Sequence, residues 1–159
     1  MVRKSTPTFI HEMPIHLDRM KAHAVSKRFD VAHFPYNVVI QTMMQRLDAM
    51  RADPRYAIAC KLPKAGGEQR KVRNALFKAL RTDYQFSEFA AHALVARHIR
   101  ASGYLDELID SHTAQTLASR AFDACEKCMI GLRGRPRFKR RGEIASIEGK
   151  GPTSPLQWN

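Results

Sequence analysis

Aromatic residues are scarce in this chain, at 8% with a single tryptophan. No stretch approaches the roughly 20 apolar residues that a membrane-spanning helix needs, so a helical span is not expected. Cysteine is equally sparse. Cys60, Cys125 and Cys128 cannot form a disulfide framework without leaving one thiol over, which points to reduced thiols. Met1 to Ile10 contains Arg3, Lys4 and Pro7 but no signal-peptide apolar core, and a cytoplasmic location is the expectation.

The signatures of catalysis are missing too. The histidines are His11, His16, His23, His33, His92, His98 and His112, and no two stand at the i, i+4 spacing of a helical zinc-protease pair. There is no Gly-rich phosphate loop, nucleophile elbow or compact carboxylate pair. Asp106, Glu107 and Asp110 read as the polar side of a short helix, whereas two-metal phosphoryl chemistry needs several converging carboxylates. Cys125-Glu126-Lys127-Cys128 has the form of half a zinc ribbon or a redox pair, but a ribbon needs a second pair. Both cysteines sit at helical spacing beside Phe122, Met129 and Leu132, so core packing is favoured over metal. No catalytic residue, metal ligand or cofactor is assigned.

Acid is the other shortage, and it turns the argument towards what is present. Lys plus Arg number 27 against 15 acidic residues, giving a formal net charge of +12 and a sequence pI near 10.1. That is the footprint of a polyanion binder. With no membrane feature in the sequence, nucleic acid is the expected partner. A hydrophobic content of 44% over 159 residues is enough for one folded unit with a core.

Along the chain, Thr8 to Leu17 reads as an edge strand or extended arm, restricted by Pro14. Asp18 to Val31 turns helical. Tyr36, Val39, Ile40, Met43, Leu47 and Met50 then recur at helical spacings up to Asp53-Pro54. Pro35 either opens this second helix or kinks a continuous one. After a loop at Pro63 to Gly67, Val72, Ala75, Leu76, Ala79 and Leu80 form an apolar stripe, with Arg70, Lys71, Arg73, Lys78, Arg81 and Phe77 projecting elsewhere. Ser87 caps a helix that Gly103 is expected to end, a short turn spans Leu105 to Ile109, and Ser111 opens the last long helix. The expected class is α+β and predominantly helical: an N-terminal edge strand, four or five helices, then a basic C-terminal strand or incomplete hairpin. Residues 1–17, 18–132 and 133–159 are read as arm, helical region and basic tail of one structural unit.

Beyond Gly134 the helical period disappears. Arg133, Arg135, Arg137, Lys139 and Arg141 alternate with Gly134, Pro136, Phe138, Arg140 and Gly142. In an extended chain the five alternating cations share one face, roughly 6.6 Å apart. Such a ladder suits a phosphate backbone, and arginine forks bind phosphate oxygens bidentately. The plainer alternative is an edge strand kept basic against aggregation. The candidate nucleic-acid contacts are Arg133, Arg135, Arg137, Lys139, Arg140, Arg141 and Lys150, together with Arg70, Arg73 and Lys78 on the basic face of the earlier helix. The helix set is less specific, since any solvated helix shows charge opposite its apolar stripe.

Several stretches carry a family likeness: Tyr36-Asn37, Gln45-Arg46-Leu47, Lys61-Leu62-Pro63-Lys64, Arg73-Asn74-Ala75-Leu76-Phe77 and Tyr84 to Phe89. Gly134-Arg135-Pro136-Arg137-Phe138-Lys139, Ser146-Ile147-Glu148-Gly149-Lys150 and Trp158 extend it. In this order they resemble the N-terminal half of TnpB-type (OrfB) insertion-sequence proteins, from about Phe9 to Trp158. The resemblance implies a strand-and-helix region that grips guide-like RNA and duplex DNA. A RuvC-like half, with three metal-binding acids and its Mg²⁺, is expected beyond Asn159, so no nuclease residue carries over. Pro35 departs from the unbroken helix that the resemblance implies. The alternative is a stand-alone basic DNA- or RNA-binding protein without catalytic activity.

Overall fold

The computed structural model describes residues 14–147. Among them are seven helices: α1 (Arg19–Val31), α2 (His33–Ala52), α3 (Pro54–Lys61), α4 (Gly67–Asp83), α5 (Glu88–Arg100), α6 (Gly103–Leu108) and α7 (Ser111–Met129). No helix among the described residues is long and apolar enough to cross a membrane.

Helical periodicity builds the centre. Val39, Ile40, Met43, Met44, Leu47 and Met50 give α2 a buried face. Ala91, Val95 and Ile99 do the same for α5, and Ala114, Leu117, Ala118, Ala121, Phe122, Cys125 and Cys128 for α7. These three helices pack on one another around a common core. The alanines of α7 keep its side chains short, which lets the methionines and Leu47 of α2 fill the space between the axes.

Pro35 opens a helix rather than kinking one. α1 ends at Val31, Ala32 serves as the cap of both helices, and Pro35 is the third residue of α2 with its ring buried. The first four N–H groups of a helix have no intrahelical acceptor, so a residue without an N–H is tolerated there.

α3 was not foreseen. Asp53-Pro54 does end α2, but the same dipeptide starts the next helix: Asp53 accepts from the Arg55 backbone N–H at 2.8 Å, and Pro54 takes the first helical position. α3 and α4 form a hairpin in which the Tyr56 and Phe77 rings meet edge to face at 5.5 Å. Gln85, with φ of 50°, closes α4. The Phe86 N–H reaches Arg81 O at 2.8 Å and the Gln85 N–H reaches Thr82 O at 3.1 Å, which turns the chain and drops Phe86 into the core against Phe122 at 5.2 Å. Arg46 fixes this corner by donating to Gln85 O at 2.8 Å.

The expected C-terminal strand is corrected. Among the described residues there is no strand, and the predominantly helical expectation holds, with five helices of 13 residues or more and two shorter ones, α3 and α6. The proposed N-terminal strand lies largely outside the described residues, and Pro14 to Leu17 are irregular. The basic segment after Gly134 is irregular too, because its polar backbone is engaged by side chains rather than by a neighbouring strand, as described below. α5 stops at Arg100, ahead of Gly103, because Ser102 caps α6 through the Leu105 N–H at 3.4 Å.

Asp53 gives the fold an acid-sensitive joint. Its carboxylate binds the Arg55 side chain and backbone and accepts from the Tyr84 hydroxyl at 3.1 Å. The hydrogen bonds from Arg55 hold its pKa at about 2. A depressed folded-state pKa contributes stability that is present above the unfolded value of about 3.9 and lost as pH falls towards 2. Asp53→Asn should therefore flatten stability against pH between about 4 and 2 relative to the parent, followed by urea midpoints across that window. Equal slopes in the two proteins would contradict this assignment.

Candidate nucleic-acid interface

The basic segment leaves α7 through a defined stop. Gly131, at φ of 78°, lets its own N–H reach Cys128 O at 3.3 Å and the Leu132 N–H reach Lys127 O at 2.9 Å. An L side chain is disfavoured at that angle. The chain then runs in irregular conformation to a turn at Gly142, also at φ of 78°, where the Glu143 N–H donates to Arg140 O at 3.1 Å. Beyond the turn Ile144 is buried against Ala32 and Leu117, and Arg120 donates to Ser146 O at 2.7 Å.

Between these ends Asn37 of α2 takes the place of a partner strand. Its amide accepts from the Lys139 backbone N–H and donates to the Lys139 carbonyl, both at 2.8 Å. Two ion pairs flank this clamp. Arg135 sets both guanidinium nitrogens on Asp48 at 3.2 and 2.9 Å, and Arg141 pairs with Asp30. The hydrogen bond from Arg141 is the first cause holding the Asp30 carboxyl below its ordinary range. Exposed pairs contribute little energy individually, but here they set position.

The five-cation ladder is thus divided. Arg135 and Arg141 face acids of α2 and α1. Arg133, Arg137, Lys139 and Arg140 are exposed and make no ion pair among the described residues. Phe138, 59% exposed, stands between two of them. Lys150 lies outside the described residues.

Comparison of the chain with family models, with curated proteins and with solved structures gives no match.

The helix candidates belong to a separate surface on α4. Arg70 and Lys78 are exposed without an acid partner among the described residues, while Lys71 pairs with Glu68 at 2.9 Å. Arg73 is half-buried with its guanidinium 4.8 Å from the Phe77 ring centre, a stack that the i, i+4 spacing allows. Arg81 pairs with Glu126 of α7 at 2.7 Å. Phe77 is half-buried and packs against Tyr56 and Arg73.

The remaining sequence candidates have structural roles. Cys125 and Cys128 are both buried in the core, where burial pushes the Cys125 thiol up to about 12 and keeps it protonated. Asp110 caps α7, accepting from the His112 and Thr113 backbone N–H groups at 2.9 and 3.0 Å. The residue that spacing alone did not single out for the interface is Asn37, whose partner lies 102 positions along the chain.

Proposed function

We propose that this chain binds nucleic acid, with the segment from Arg133 to Arg141 as its principal phosphate contact. The observation that carries the reading is the set of four exposed cations, without an ion pair among the described residues, on a segment fastened by the Asn37 clamp, two ion pairs and buried Ile144. A segment held in place loses less conformational freedom on binding, so more of each contact is realised as affinity. Arginine forks suit phosphate oxygens. Contacts of this kind position the ligand without reading its sequence.

Two forms of this reading differ in context. The resemblance to TnpB-type proteins supports the nucleic-acid-binding portion of an RNA-guided endonuclease, with guide-like RNA and duplex DNA as partners and Mg²⁺ belonging to a RuvC-like half. The docking of the basic segment on its own α2 through Asn37 supports a stand-alone basic DNA- or RNA-binding protein. Neither form assigns a catalytic residue to this chain.

Fluorescence anisotropy with duplexes of unrelated sequence tests the shared claim. Four phosphate contacts at about 0.9 each give a log-log salt slope of about −3.6, a loss of roughly 150-fold between 50 and 200 mM salt. Similar affinities across sequences with at least that slope are expected. Absence of binding at 50 mM salt would overturn the proposal.

A further inference from the structure

A second surface lies between the C-terminal half of α4 and the first turns of α5. It is an open groove of about 730 Å³, with Phe77 and Phe89 among its walls and Asn74, Lys78 and Gln85 among its polar groups. Phe89 is 82% exposed, a large apolar area for a side chain that packs on little of its own protein. No Asp or Glu lines the groove. At its corner Arg46 is held to Gln85 by two hydrogen bonds, at 2.8 and 3.3 Å. Burial is the first cause lowering the Arg46 pKa, and its guanidinium meets the groove through Gln85.

This composition discriminates between occupants. A plain apolar helix would leave the Lys78 and Arg46 charges without counterparts. A duplex keeps the faces of its bases stacked inside. Unpaired nucleotides offer flat uncharged rings joined by anions, which match an exposed ring flanked by cations and amides. We infer that the α4–α5 groove takes an unpaired stretch of nucleic acid, one base stacking on Phe89 and the adjoining phosphates meeting Lys78 and Arg46. The inference rests on the nucleic-acid reading above and adds the strand state recognised.

The groove is distinct from the basic segment. Arg46 reaches the groove corner and Asp48 reaches Arg135, and residues two positions apart on a helix differ by about 200° around its axis. The two surfaces therefore flank α2 on opposite sides, and their contributions are separable.

The test uses the full chain with fluorescent single-stranded DNA and RNA of one pyrimidine-rich sequence and the matching duplex. Phe89→Ala is expected to weaken binding of the single strands by roughly 5- to 150-fold, the worth of one base stack, with duplex affinity unchanged within about twofold. Phe89→Trp should restore single-strand binding, and Phe89→Leu should not. A wild-type response to Phe89→Ala, or full rescue by leucine, would overturn the inference and indicate an apolar patch for another partner. If duplex binding stays intact and sensitive to loss of Arg133 and Arg137 while Phe89→Ala does nothing, the groove assignment alone fails. If the parent chain binds neither strand state, the reading beneath it fails.

Discussion

Phe86→Ala is expected to lower the unfolding free energy by about 3–5 kcal/mol, the range for deleting a fully buried aromatic side chain. Phe86 has no exposed surface and lies at the corner where α4 turns into α5. Its ring rests on Phe122 of α7, with the Arg81 guanidinium 5.9 Å from its centre. Truncation would leave a cavity under three helices, and the backbone bond from Phe86 to Arg81 limits how far the corner can collapse to fill it. Phe89, three residues on and 82% exposed, supplies the control: Phe89→Ala should change stability by no more than about 0.5 kcal/mol. Urea titrations with a common slope measure both. A Phe86→Ala loss below about 1 kcal/mol would contradict this placement of the corner.

Ile144→Asp is expected to release the basic segment while leaving the helical core folded. Removing a buried isoleucine costs about 2–5 kcal/mol, and an ionised carboxylate set against Ala32 and Leu117 carries a further desolvation cost. The segment beyond Gly131 is held by one buried side chain and a handful of exposed polar contacts, so detachment is its least costly response. Hydrogen exchange should accelerate at the Lys139 and Glu143 amides, which are bonded to Asn37 and Arg140. Amides of α2, α5 and α7 should keep their protection. Loss of protection throughout those helices, or none in the segment, would show that Ile144 does something else.

How much of this was legible in the sequence depended on where the determining partner lies. The buried faces of α2, α5 and α7 follow a 3.6-residue period, and a period is visible locally. The caps were partly visible: Ser87 does cap α5 through the Ala90 N–H at 3.2 Å, but Asp110 rather than Ser111 caps α7. α3 was hidden because Asp-Pro is both a stop for one helix and a start for another, and its eight residues are too few to show an amphipathic repeat. The alternating cations after Arg133 suggested an extended chain but not what receives it. Asn37, Asp48 and Asp30 lie 102, 87 and 111 positions from their partners, and no spacing rule connects residues so far apart. Thus Arg135 and Arg141 looked equivalent to Arg137 in sequence, whereas their acids bind them to the fold.

That division makes the central claim measurable through salt dependence. Replacing Arg133, Arg137, Lys139 and Arg140 together by Ala, and measuring duplex affinity from 50 to 200 mM salt, counts the phosphates that the segment neutralises. The slope should become shallower by about 3.6, at about 0.9 per lost contact, with circular dichroism unchanged because all four side chains are exposed. Binding that keeps the parent slope in this variant would contradict the account, because the segment would then be a solvated edge and the phosphate contacts would lie elsewhere.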